Sequence, residues 1–259
     1  MRPCRSDSGY VLFTALLALM TLSLLCSQIV FFSYIGTRMA AARRDGAAIE
    51  AAADGVVRQT IFNLLRTDTR RRVLERTYTV SVPGADATVR LQDLGGRVNP
   101  NLASPALFRA LLMLVGADDT TADWIMAAQI AARASKPTGA FLVSATAVPP
   151  PGPFDDISEL GGLRGMTPAL LAALAPHLSV WGNVLPDPVL ADPAVRRALD
   201  LSGEAAFAAA MRPDERIVRI EAMVKGPGGR SVTRRAVVRL GLGLDGLSWH
   251  LLAWDRVPP

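Results

Sequence analysis

The sequence predicts an α+β fold, with a long N-terminal transmembrane and amphipathic helix, an antiparallel sheet and a large all-helical insertion. Three observations carry this reading. From Ser8 to Thr37 there is no charged residue, and alanine-rich sequence without proline follows to about residue 76. Apolar residues then alternate around 77–92 and again in 216–254, which is the period of strands. Between those regions Ser104-Pro105, Thr167-Pro168 and Asp192-Pro193 each stand ahead of an apolar run, the start signal of a helix.

The first stretch, Tyr10 to Ile35, reads YVLFTALLALMTLSLLCSQIVFFSYI. It is long enough to cross a bilayer, for which about 20 apolar residues at roughly 1.5 Å rise each suffice. A secretory signal peptide has a shorter apolar region and a small-residue cleavage site at its far end. Here the far end holds Gln28, Phe31, Phe32, Ser33 and Tyr34, and the conspicuous small residue, Gly9, stands at the near end behind a polar leader with Arg2, Arg5 and Asp7. An ordinary single-pass anchor is the plain alternative. Arg2 and Arg5 on one side nearly balance Arg38, Arg43 and Arg44 on the other, so counting positive charges sets no orientation. Cys4 lies in the leader and Cys26 in the span, which leaves the remainder without a disulfide or a thiolate metal site.

Residues 37–76 read as a continuation of the helix. Ile49, Ala52, Ala53, Val56, Val57, Ile61, Leu64 and Leu65 recur close to the 3.6-residue period, giving one apolar face to lay on a globular domain. The 259 residues carry a net charge of +5, nearly all of it from arginine, since Lys136 and Lys225 are the only lysines. Such a balance suits anionic lipid or nucleic acid, but the arginines are scattered. The densest group, Arg70, Arg71, Arg72 and Arg76, reads as a solvated helix face.

Tyr78, Val80 and Val82 alternate, Pro83-Gly84 turns the chain, and Ala87, Val89 and Leu91 alternate again, as in a hairpin. After Gly95-Gly96 come Val98-Asn99-Pro100-Asn101 and three related segments, LASPALFRAL at 102–111, MTPALLAAL at 166–174 and LADPAVRRAL at 190–199. Ser104, Thr167 and Asp192 fit the N-cap, and Pro105, Pro168 and Pro193 fit the first helical position. Similar capping explains the likeness without duplication, and it marks 100–212 as helical. A further helix follows Asp118-Asp119 and ends near Arg133; Lys136-Pro137 and the run 148–153 form a stiff, exposed loop.

The stretch 154–168 reads as a short helix carrying Ile157 and Leu160, a stop at Gly161-Gly162, a turn at Gly165 and a second helix from Thr167-Pro168 to about Leu174. It looks like a helix-hairpin-helix unit, a motif whose backbone N–H groups can hold nucleic-acid phosphate. Asp155, Asp156 and Glu159 flank it and Arg164 is the only cation within the turn, so a structural or protein-contacting hairpin is the stronger reading. DNA binding is the competing one. Toward the end, 217–225, 232–240 and 247–254 form a three-stranded meander, with Arg234, Arg235 and Arg239 marking exposed positions.

No catalytic constellation is visible. His177 and His250 are the only histidines, which poorly supports a Ser-His-Asp or His-metal site; His177 reads as the end of a helix, near the last carbonyls. The pairs Asp118-Asp119 and Asp155-Asp156 are adjacent in loops.

A short basic leader ending in Gly9, with Tyr10 as the new N-terminus, resembles a type IV prepilin-like signal. Thr14 stands at the fifth mature position, where most members of that class carry Glu. The segment 98–104, similar to an Asn-rich motif at Asn99 and Asn101, and the stretch containing Glu159, Leu160, Gly165, Met166, Thr167 and Pro168, followed by Leu178-Ser179-Val180-Trp181-Gly182, complete the pattern. In this order the features resemble the K-type minor pseudopilins of the type II secretion system, also called general secretion pathway protein K. The acidic-aromatic segment departs from the family, reading Asp123-Trp124-Ile125-Met126, and the second Asn-rich segment is reduced to 183–187.

The resemblance implies a leader at 1–9, a transmembrane helix at 10–36, a continuing amphipathic helix at 37–76, a pilin-like domain at 77–99 and 213–259, and a helical insertion at 100–212. It implies a non-enzymatic assembly subunit of the inner membrane with its C-terminal domain in the periplasm. A prepilin peptidase would process it, and the I-type and J-type minor pseudopilins would be its partners, with no nucleic acid. In such fibres the fifth-residue carboxylate pairs with a neighbour's N-terminal amine, so Thr14 suits a subunit with nothing above it, at the tip. No cofactor is expected, although some members bind calcium. Asp118, Asp119 and Asp123 are the candidate ligands, given that calcium takes six to eight oxygens; an N-cap and a solvated loop are the alternative use of these carboxylates.

Overall fold

The structure is a computed structural model that describes residues 8–66, 75–83, 85–135, 154–211, 215–226, 229–243 and 246–257. The leader residues 1–7, the arginines 70–72, Gly84, Lys136-Pro137, the proline run 148–153 and the turn residues 227–228 lie outside these. The fold is α+β. Helix α1 spans Ser8–Arg66, and the chain divides into two compact units, 1–50 and 51–259.

In the first unit the side chains of the apolar stretch, among them Leu12, Phe13, Leu16, Met20, Leu24, Ile29 and Phe32, are exposed. By length and composition this is a helix able to cross a membrane. A water-facing surface of that kind would be strongly unfavourable, and hydrocarbon is the solvent that matches it.

The second unit is built on a five-stranded antiparallel sheet in chain order, β1 Glu75–Val82, β2 Ala85–Asp93, β3 Arg216–Lys225, β4 Ser231–Gly243 and β5 Gly246–Val257. The helix described up to Arg66 does not reach residue 76, because Glu75 and Arg76 already pair with Gln92 and Leu91. Arg76 belongs to a strand and lies over the Tyr78 ring. One sheet face carries the alternating set Ala87, Val89, Leu91, Val218, Ile220, Ala222, Val224, Ala236, Val238 and Leu240, all buried. The 51–66 part of α1 buries Ala53, Val56, Val57 and Ile61 and is tied to the sheet by Asp54–Arg234 and Thr60–Tyr78.

Arg234 and Arg235 correct the expectation that both are exposed. As neighbours in a strand they point to opposite faces. Arg234 pairs with Asp54 and lies over the Trp254 ring, whereas Arg235 pairs with Glu221 on the other face. All three marked arginines are half-buried, Arg239 among them.

The helical insertion leaves the sheet after β2 and returns at β3, and those two strands are hydrogen-bonded neighbours, Asp93 opposite Val218. It contains α2 Pro105–Leu114, α3 Asp119–Ser135, a 3-10 helix Ile157–Gly162, α4 Pro168–Leu174, a 3-10 turn Ala175–His177, α5 Pro193–Ser202 and α6 Ala205–Ala210. Its core gathers Leu107, Phe108, Leu111, Leu112, Ile125, Leu160, Leu174, Leu178 and Leu199. A small second cluster, Leu94, Ile217, Val237 and Leu252, lies on the sheet, and Trp181 packs against both.

The three Pro-started helices are capped as their sequences predict. Ser104 Oγ accepts from Leu107 N–H, Thr167 Oγ1 from Leu170 N–H, and Asp192 Oδ1 from the N–H groups of Ala194 and Val195. Each cap satisfies N–H groups that the helix cannot. Helix α5 ends at Gly203 with φ +77, and Glu204 N–H reaches back to Leu199 O, a left-handed stop that glycine adopts without strain.

Candidate assembly surfaces

The segment 95–103 is the hub of the insertion. Asn99 is fully buried. Its Nδ2 donates to Val180 O at 3.1 Å and Gly182 O at 3.0 Å, and its Oδ1 accepts from Asn101 N–H. Asn101 Nδ2 donates to Phe154 O, and Asn101 Oδ1 accepts from Phe154 N–H. Between them Pro100 O accepts from Gln129 and Arg133. A carboxamide has donors and acceptors on one short stem, so the two asparagines can hold two distant segments, 180–182 and Phe154, where a carboxylate or a lysine cannot. Val98 and Leu178 form an isolated parallel bridge beside them. Gly182 is close enough that a Cβ would sit 3.2 Å from Asn99 Cβ.

A second junction sits where the insertion meets the sheet. Asp93 and Arg216, 1% and 6% exposed, form an ion pair at 3.3 Å, and Asp93 Oδ1 accepts from Gly95 N–H. Gly96 lies against the Leu190 backbone, where a Cβ would stand 2.3 Å from its carbonyl. Asp187 is buried; its N–H donates to Gly95 O and its Oδ1 accepts from Val189 N–H.

The stretch 154–168 holds a short helix and leads into α4 through the turn at Gly165. Its first element is a 3-10 helix capped by Asp156, whose Oδ1 accepts from Ser158 N–H. Hydrogen bonds from Ser158 hold the Asp156 carboxyl below the usual value, against partial burial and with help from Arg235 and Arg219. Two glycines at its end disfavour a longer helix. Glu159 accepts from Asp155 N–H, Leu160 and Met166 are buried, and Gly165 turns the chain at φ +93. Arg164 lies over the Trp124 ring at 4.9 Å, which fixes the turn on α3.

The three acidic candidates for calcium face protein donors. Asp118 Oδ1 accepts from Thr121 N–H, and bonds to Thr121 lower its carboxyl below the ordinary value. Asp119 and Asp123 both bind Arg109, at 2.7 and 2.9 Å. Among the described residues no three acidic, histidine or cysteine side chains converge on one point. His177 ends the 3-10 turn, and its Nδ1 is 2.7 Å from Asp192 Oδ2.

Gly9, Tyr10 and Thr14 lie in the first turns of α1, with Thr14 exposed. Residues 87–183 match the family model of protein K of the type II secretion system. Over that stretch the chain is similar to type II secretion protein K. No curated protein matches the chain. The matched stretch begins in β2 and ends just past Gly182, so both ends of the Asn99 contacts fall inside it. Asp187, Arg216 and α5 lie beyond it.

The site residues from the Asn-rich segment and from 159–168 therefore support the insertion rather than present a reactive surface. Sequence reasoning missed Asp93, Asp187, Gln129, Arg133 and Arg216. The one sequence signal for Asp93 and Arg216 is a charge at the inner end of each strand, on the apolar face.

Proposed function

We propose that the protein is a K-type minor pseudopilin at the tip of the type II secretion pseudopilus, an assembly subunit and not an enzyme. The observation that carries the reading is the match to protein K in an insertion built between two neighbouring strands of a chain that opens with a membrane-length helix. In this reading the helix holds the subunit in the inner membrane, the sheet and the insertion stand in the periplasm, and a prepilin peptidase cuts between Gly9 and Tyr10. Thr14 offers no carboxylate to a subunit above, and the insertion adds bulk that ends the fibre. The I-type and J-type minor pseudopilins are the neighbours. Against duplex binding, the hairpin's Arg164 is stacked on Trp124 and exposed Asp155 and Glu159 precede it in the same stretch.

Co-expression with a prepilin peptidase and the I- and J-type minor pseudopilins tests the reading. Mass spectrometry of the mature chain should give Tyr10 as the N-terminus, and purification should retain the I- and J-type subunits. An intact leader, or a processed chain that retains neither subunit, overturns it.

A further inference from the structure

The sheet face opposite α1 carries a row of charge. Arg90, Glu221 and Arg235 stand directly across from one another on β2, β3 and β4, and Gln92, Arg219 and Val237 form the adjoining row. Arg90 is paired with Glu75 and Arg235 with Glu221. Asp255 stands beyond Arg235 on β5, exposed. Asp156, which also faces this region, caps the 3-10 helix.

Arg219 forms an ion pair with none of these carboxylates, although the charges of Glu221 and Asp156 favour its charged form. Its Nε is buried and hydrogen-bonds to nothing among the described residues, while the residue as a whole is only half-buried. Arg97 enters from the hub segment, half-buried, with one Nη donating to Leu178 O at 3.3 Å. Burial, together with Arg97 and Arg235 beside it, pushes the Arg219 guanidinium down to about 10. Burial likewise lowers Arg97, although Asp192 and Glu75 oppose this. An arginine does not discharge itself as a buried lysine can. A partly buried guanidinium beside two others is therefore relieved by an incoming anion, whose planar oxygens match the fork of donors.

We propose that Arg219 and Arg97, with Arg235 at the rim, form an oxyanion site where the insertion meets the sheet, suited to a carboxylate. The carboxylate comes either from an acidic side chain of a neighbouring subunit or from a small acid in solution, and the site accepts the same group in both cases. It does not depend on the role proposed above.

The test uses the full chain in detergent micelles, with thermal melting followed by tryptophan fluorescence. Succinate is titrated against chloride at matched ionic strength. The wild type should show a saturable rise in Tm of about 3 °C at ten times the dissociation constant. Arg219→Met should abolish the rise, and Arg219→Lys, which keeps charge but loses the fork, should reduce it. Arg97→Met gives the same readout should Arg219→Met fail to fold. A rise matched by chloride, or one that persists in both methionine variants, overturns the site. A second arm adds a soluble peptide bearing one glutamate. Competition with succinate assigns a protein carboxylate as a ligand, and loss of competition confines the site to small acids.

Discussion

In the sheet, three of the four ladders join strands that follow each other directly in the chain, and the apolar alternation needed to place them is local. In the insertion the helices are just as regular, yet what holds them in one arrangement is long-range and polar. Asn99 reaches 81 and 83 residues along the chain, and Asn101 reaches 53. Burying apolar faces brings six helices together without choosing among their packings, since hydrophobic attraction has no direction. The asparagines supply direction, because a misplaced partner leaves a buried amide unpaired.

Three changes would break or sharpen this contrast, each read by hydrogen exchange on the full chain in detergent, which reports stability region by region. Arg216→Ala has the largest expected effect. It strands the buried Asp93 at the point both regions share, so amides of β2, β3 and α2 should all lose protection, by about 3–5 kcal/mol. Loss confined to one region would show that the junction does not couple them.

Asn99→Ala comes next, at about 2–3 kcal/mol. Protection should fall in the insertion, at 98–103 and 178–182, and stay in β4 and β5. An equal loss in those two strands would erase the distinction drawn here.

Asp192→Ala is the smallest, about 1 kcal/mol, from the lost cap of α5. Partial burial disfavours the Asp192 carboxylate, but the His177 ring and the Val195 and Ala194 N–H groups outweigh it and hold its carboxyl below the ordinary value. A carboxyl that titrates lower when folded contributes stability above the unfolded value near 4, and loses it as pH falls through the folded one. Wild-type α5 should therefore lose protection below about pH 4, whereas Asp192→Ala should show a flatter profile over the same range.

Most of the elements were legible because their causes are local. Ser104-Pro105, Thr167-Pro168 and Asp192-Pro193 state where three helices begin, and each side chain makes the bond its position implies. Alternation placed all five strands. What was not legible depends on partners far away in sequence. Nothing near Asp93 names Arg216, and nothing near Arg235 shows that it pairs with Glu221 while Arg234 turns to α1. The 3-10 geometry at Ile157–Gly162 was hidden for a different reason, since its apolar residues Ile157 and Leu160 fit an α-helix and a 3-10 helix equally well. Asn99 was singled out from the motif alone; its burial came only from the fold.

The insertion enters and leaves the sheet at one end of the β2–β3 ladder, where Asp93 pairs with Arg216. For the sheet, everything from residue 94 to 215 is then a loop with tied ends. The entropy of closing such a loop rises by only about 0.6 kcal/mol for each doubling of its length. As far as closure entropy goes, length can be added to or trimmed from this loop at little cost to the strands. A chain joined from Asp93 to Arg216 by a two-residue turn should keep the five-stranded meander, so the bulk of the protein can vary in size while the scaffold that carries it stays the same.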